Sequence, residues 1–402
     1  MKFLKLLIVI ALILFPLGEI LRFDIGNNIV IKPLDVIVGL TAFWWVVLQF
    51  QRSKFKTENF NSKLKTFLIL FIGVGFLSLL LNLTWLKPHE FFVSLLYLIR
   101  WISYALIFFV IFQSDEKFKQ RIKHLLFIDG FIILAAGYVQ YFFYNSLRNL
   151  YYLGWDEHKH RMFSVFFDPN FLGAFLVLYL IFIGAKLFSK NKLKTNYRIF
   201  LYITSLLTLI AIFLTFSRSA ILMLIVSSVV FLFLINKKKL IFALLGVTLL
   251  FGLISSPKFY DENMNLFREA SSKARIVNFS IAWNIFQDHP IVGVGFNSYR
   301  YTKDLYGLDH NWINVQSHSD SGTDNSFIFV LATTGIIGGI GYFGMWFVIL
   351  KYAFARYKKN IIATVLIASV VGLFVNSLFI NSLFFAPFML WVWILVGLVE
   401  YN

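Results

Sequence analysis

The chain has 402 residues, of which 59% are hydrophobic and only 14% charged, where a soluble protein of this size carries about a quarter charged residues. Its apolar residues gather in runs near the roughly 20 that cross about 30 Å of hydrocarbon as a helix. That pattern excludes a soluble globular protein and predicts an all-α, polytopic membrane helix bundle. The formal charge is +17 and there is no cysteine, so disulfides and thiolate metal sites are excluded.

In chain order, the opening "MKFLKLLIVIALILFPLGEI" places Lys2 and Lys5 before an apolar stretch. No small-x-small cleavage site follows, so it reads as a retained first helix. About twelve spans are predicted, near 4–21, 29–50, 64–86, 91–113, 122–144, 165–188, 197–216, 219–236, 238–256, 324–350, 360–380 and 382–400. With the N terminus inside and the chain alternating, 23 of the 37 Lys and Arg fall on inner segments, and most of the 20 acids fall outside. The positive-inside rule then holds at every inner turn. It gives cytoplasmic N and C termini, and the basic residues read as topology signals rather than as a nucleic-acid surface. The expected organisation is spans one to nine over 1–256, a large outer loop over 257–323, and three final spans over 324–402.

Long ordered loops are commonly functional. In the large one, Ile276, Phe279, Trp283 and Phe286 recur at spacings of three and four, an apolar stripe for an amphipathic helix on the membrane or on the bundle. Gly293 and Gly295 permit tight turns after it. A second outer loop, 145–162, is rich in aromatic and ionisable groups.

Four of the arginines on the outer side are candidate ligands. Arg218, in "FLTFSRSAIL", opens the eighth span with Ser217 or Ser219 as a possible N-cap. A helix N terminus joined by a guanidinium suits a phosphate, although Arg218 can also snorkel or pair with a nearby Asp. Arg161 precedes "MFSVFFDPNFLGAFL", where Asp168 and Pro169 resemble an N-cap and first-turn pair. Arg275 opens the amphipathic helix and Arg300 follows "GFNSY"; each alone is an ordinary solvated charge. As a set, Arg161, Arg218 and Arg275 can converge on a diphosphate, whose oxygens suit forked guanidinium donors.

Asp324, at the start of the tenth span, reads either as a helix cap or as a general base, with Asn325 orienting a sugar hydroxyl. His318 is the alternative base. Arg100, near the middle of the fourth span, is expected to pair with Asp35 or Glu19. An Asp-x-Asp pair, a Walker loop, a His-Glu-x-x-His motif and a serine elbow are all missing from the sequence. No metal and no cofactor are expected.

Taken in order, "RMFSVFFDPNFLGAFL" (161–176), "LTFSRSAILML" (214–224), "ARIVNFSIAWNIFQDHPIVGVGFNSY" (274–299) and "DNSFIFVLATTGIIGG" (324–339) resemble the O-antigen polymerase and ligase family (Wzy and WaaL type). The resemblance covers roughly 160–340. It implies a GT-C-like, metal-independent, inverting glycosyltransferase that takes a glycan from undecaprenyl diphosphate at the outer face. A polymerase gives that glycan to the sugar of another lipid-linked repeat unit, and a chain-length regulator is a possible partner; a ligase gives it to lipid A-core. The resemblance also implies that Arg161, Arg218 and Arg275 meet the diphosphate. Ligases typically read His-Asn where this chain reads Asp324-Asn325, a departure that favours a polymerase and hands Asp324 the base role. The competing class is a transporter or flippase for lipid-linked oligosaccharide, against which stand the large outer loop and the one-sided arginines.

Overall fold

The computed structural model describes residues 1–26, 29–51, 62–189, 193–254, 270–306 and 322–399. Helices α1 (Lys2–Leu14), α2 (Pro33–Gln51), α3 (Ser62–Leu81), α4 (Pro88–Phe112) and α5 (Glu116–Phe143) are followed by α6 (Pro169–Leu187), α7 (Thr195–Leu214), α8 (Arg218–Leu234) and α9 (Lys238–Ile254). Helices α10 (Ala270–Asp288) and α11 (Tyr299–Leu305) lie in the large loop, and α12 (Ser326–Arg356), α13 (Ile361–Asn376) and α14 (Ala386–Leu398) complete the chain. Each predicted span coincides with a helix. Seven of these, α2 to α7 and α12, are long and apolar enough to cross a membrane, and α8, α13 and α14 are apolar but shorter. The protein is therefore an all-α polytopic membrane protein. Among the described residues, its only strands are Phe23–Asp24 and Val30–Ile31, a two-residue antiparallel pair.

Lipid tails are as apolar as leucine, so membrane helices associate through close packing more than through exclusion of water. The sequence supplies small residues where helices meet. Gly341 of α12 lies against the Phe71 backbone of α3, Gly372 of α13 against Ser227 of α8, and Gly397 of α14 against Ile111 of α4. Aromatic rings fill the centre, with Trp346 stacked on Trp393 at 5.9 Å and Phe71 edge-on to Trp101 at 4.8 Å. The one mid-span arginine behaves as its cost in hydrocarbon requires: Arg100 Nε donates to Asp35 Oδ1 at 3.0 Å, and the Tyr104 hydroxyl donates to the same oxygen at 2.6 Å.

At one end of the bundle, here the upper end, the N termini of α6, α8, α12 and α14 meet the C termini of α5, α7 and α13. The Asn170 side chain reaches Ser217, the Ser326 amide donates to the Ser377 carbonyl at 2.9 Å, and Phe171 stacks on Phe385 at 4.2 Å.

Sequence patterning did not anticipate how the large loop returns to the bundle. Helix α12 is broken at Gly335, whose φ of 63° is left-handed. The segment 290–298 lies along that break. The Val294 and Gly295 amides donate to the carbonyls of Ala332 and Thr333, both at 3.1 Å, and the Ile336 amide donates to the Pro290 carbonyl at 2.8 Å. Helix α3 holds the other side: Asn82 Nδ2 donates to the Gly293 carbonyl at 3.1 Å and the Phe296 amide donates to Ser78 Oγ at 3.1 Å. A broken helix is tolerated at membrane depth where other groups satisfy its freed backbone, and this segment does so. The expected turn glycines take the backbone they were assigned, with φ of 68° at Gly293 and 109° at Gly295.

Helix α10 packs on α12 through Ile281, Ala282 and Ile285, which form a small core with Ile328, Phe329 and Ala332. Of the stripe read from the sequence, Ile276 is 69% exposed and Trp283 41% exposed, whereas Phe286 packs against that core. The helix thus lies on the bundle, one of the two surfaces expected for it, with most of the stripe turned away from α12.

Candidate functional site

The upper end gathers several of the predicted residues, beginning at the turn between α7 and α8. Phe216 has a φ of 48°, left-handed for a residue with a side chain, a conformation that costs about 1–3 kcal/mol and persists only where its surroundings hold it. Arg161 is one of those holders. It is buried, its Nε donates to the Thr215 carbonyl at 2.8 Å, and Nη2 lies 3.3 Å from Asn170 Oδ1. Ser217 caps α8, with Oγ accepting from the Ala220 amide at 3.4 Å and donating to Asn170 Oδ1 at 3.0 Å. Asp168 caps α6 by accepting from the amides of Asn170 and Phe171, at 2.6 and 3.1 Å. This network fixes where α8 begins and therefore where Arg218, its first residue, emerges.

Arg161 is thus held against the turn that precedes Arg218. Replacing it with alanine is expected to destabilise the protein by about 2–4 kcal/mol, because two buried acceptors lose a charged donor. Lysine, which keeps the charge but not the planar fork, should recover little of that. Thermal unfolding of the detergent-solubilised protein measures this. Unchanged unfolding with lost activity would instead mark Arg161 as a substrate ligand.

Arg218 is half-buried, and the positive charge of Arg275 acts on it from α10. A guanidinium that opens a 17-residue helix, with a second one acting on it from α10, is an arrangement suited to an anion. One turn beyond Arg275, Asn278 Nδ2 donates to Asp324 Oδ2 at 3.1 Å. The Tyr299 hydroxyl donates to the Asn278 carbonyl at 3.4 Å. Tyr299 is fully buried, and its ionisation is pushed up by that burial and further by the Asp324 charge.

Asp324 does not cap α12. Asn325 does, with Oδ1 accepting from the amides of Phe327 and Ile328 at 2.8 and 3.1 Å, and its Nδ2 lies 3.4 Å from the Leu378 carbonyl. Its carbonyl oxygen is thereby committed to the helix, leaving little of the side chain to orient a sugar. Asp324, one residue earlier and half-buried, is released from capping duty.

Arg300 takes a different direction. Its guanidinium lies over the Tyr301 ring at 6.0 Å, and that ring meets His89 at the start of α4 at 6.5 Å. The described contacts do not bring it to Arg218 or Arg275. His318 lies outside the described residues. The arrangement therefore joins Arg218, Arg275 and Asp324 along α8, α10 and α12, with Arg161 bracing the turn behind Arg218. Two participants were missed from sequence, Asn278 and Tyr299. Asn278 carried a weak signal, since it falls one helical turn after Arg275 and off the apolar stripe; Tyr299 carried none.

Residues 203–343 match the family model described as O-antigen ligase, a stretch from α7 into α12 that includes Arg218, Arg275, Asn278 and Asp324. The teichuronic acid biosynthesis protein TuaE of Bacillus subtilis (strain 168) is 22% identical over 313 residues, covering 73% of this chain. The chain spans 62% of that relative's length.

Proposed function

We propose, from the match of residues 203–343 to the family model described as O-antigen ligase, that this chain is a surface-polysaccharide polymerase working on polyprenyl-diphosphate-linked glycans. It moves a glycan from undecaprenyl diphosphate to a sugar hydroxyl of a second lipid-linked repeat unit. The observation that carries this reading is the line from Arg218 and Arg275 to Asp324, in which a cationic helix start and a carboxylate are tied through one helix.

The chemistry needs no more than those groups. The acceptor hydroxyl oxygen attacks the anomeric carbon as the bond from that carbon to the diphosphate oxygen breaks. The electron pair leaves with the diphosphate, whose growing charge the two guanidinium groups stabilise. The hydroxyl proton passes to the Asp324 carboxylate. Attack from the face opposite the leaving group inverts the anomeric configuration, and holding both lipid-tethered substrates supplies proximity. Arg300, beside the aromatic rings of Tyr301 and His89, is the proposed contact for glycan rather than for diphosphate. The distribution of Lys and Arg supports an outer-face position for this end of the bundle.

A ligase is the second reading, favoured by the description of the matching family model. The two part in one assay. The purified protein in detergent is given polyprenyl-diphosphate-linked repeat units, extracted from cells of the source strain lacking this chain, in the presence of a chelator. A polymerase makes a ladder. Transfer only after lipid A-core is added means a ligase, and no transfer to either acceptor means a carrier-lipid transporter. Asp324→Asn, which keeps the shape and can still accept from Asn278, is expected to lower the rate at least about 100-fold; a ladder at the wild-type rate removes Asp324 from the reaction.

A further inference from the structure

A catalytic carboxylate on irregular backbone needs something to aim it. Asp324 precedes the first residue of α12 by two positions and stands outside the cap that Asn325 makes. A hydrogen bond reaches it from a residue 46 positions earlier, the 3.1 Å contact from Asn278 Nδ2 to Asp324 Oδ2. Asn278 is itself held. The Tyr299 hydroxyl donates to its carbonyl oxygen, and the next turn of α10 is buried against α12 through Ile281, Ala282 and Ile285.

We infer that Asn278 is the positioning residue for Asp324, and that α10 works as a rigid strut carrying the diphosphate-binding Arg275 and the orienting amide of the base one turn apart. This rests on the reading of Asp324 as the base given above. Three residues of helix separate Arg275 from Asn278, a rise of about 4.5 Å. An amide N–H on one carboxylate oxygen favours the ionised form and fixes the plane of the group, so that the other oxygen receives the acceptor proton. Tyr299 stays protonated and serves as a donor, since burial and the neighbouring carboxylate both oppose its ionisation. Movement of α10 displaces the anion site and the base together, which keeps leaving group and nucleophile in register.

The test is the pH dependence of kcat in the detergent assay with the extracted lipid-linked repeat units. Asn278→Asp replaces the donor with a second carboxylate about one hydrogen-bond length from the first, and two such groups do not both ionise easily. Its acid limb is expected to move up by at least about one pH unit, and kcat at neutral pH to fall at least about tenfold. KM for the lipid-linked donor, governed by Arg218 and Arg275, should stay within about twofold. Asn278→Ala should lower kcat with a smaller upward move of the limb, and serves if the aspartate variant does not accumulate. Among the described residues, Arg218, Arg275 and Tyr299 are the charged or titratable groups tied to this carboxylate or to one another, while Asp288, ten residues beyond Asn278 on α10, accepts from the Tyr306 hydroxyl, and Arg300, Tyr301 and Lys303 lie further along α11. Arginine and tyrosine side chains do not titrate between about pH 4 and 8. A merely structural Asn278 would reduce folded protein or rate without moving the limb. Wild-type profiles in both variants, with Asp324→Asn inactive, would overturn this inference alone. An active Asp324→Asn would remove the base assignment beneath it.

Discussion

Arg218→Ala is expected to reduce glycan transfer at least about 100-fold while the protein still accumulates in the membrane at the wild-type level. The reasoning separates the two readouts. Helix α8 starts because Ser217 caps it and because Arg161 and Asn170 hold the turn before it; Arg218 takes no part in that cap, so its loss leaves the helix start intact. In the proposed reaction, what disappears is a guanidinium that meets the growing diphosphate charge, and removing one such donor commonly costs about 10²–10³ in rate. Arg218→Lys should fall between, since lysine restores the charge without the fork. Transfer rate normalised to immunoblotted membrane protein checks this. Wild-type polymer from the alanine variant would sink the assignment, whereas lost protein would show that Arg218 belongs to the fold.

The second large effect concerns the fold. Gly335→Ala is expected to reduce membrane-embedded protein to under about a tenth of wild type. A methyl at this position would lie 2.2 Å from the Ile291 carbonyl carbon, and the left-handed backbone there disfavours any side chain. Relief requires either pushing segment 290–298 away or straightening α12, and both break the backbone bonds that tie the two together. The penalty is several kcal/mol, enough to unfold a marginally stable protein. Gly39→Ala in α2 is the control, because a methyl there meets nothing within 4 Å and alanine favours a helix. Fluorescence-detected size exclusion of tagged variants reads both. A monodisperse Gly335→Ala protein at normal yield would contradict the packing described here.

How much of this was open to sequence reading follows from which forces act over short range. Spans were legible because each helix must bury its own backbone in lipid, which writes itself as an apolar run. Caps were legible because an N-cap acts on residues two and three positions away: Asp168 and Ser217 both cap as expected. The Arg100–Asp35 pair was legible because a mid-span charge leaves few options. Long-range choices were not. Whether Asp324 or Asn325 capped α12 depended on one residue of register, and Asn325 took the cap. The stripe on α10 was visible, but the face it presents was decided by Ile281, Ala282 and Ile285, which pack on α12 instead. Arg161 looked like an equal of Arg218 because both are arginines at span edges; only the folded turn shows one buried against carbonyl oxygens and the other near Arg275. Asn278 acquired its meaning from a partner 46 residues away.

The seam between segment 290–298 and the Gly335 break also sets a timetable. Chains enter the membrane from the N terminus, and α12 emerges after its partners α3 and α10 are already in place. Until residues 332–336 arrive, the returning segment can pair only with Ser78 and Asn82 beside α3, and α10, which carries Arg275, lacks its packing surface on α12. The parts of the site therefore come into register only near the end of synthesis. A nascent chain that stops short of α12 cannot bring Arg275, Asn278 and Asp324 together.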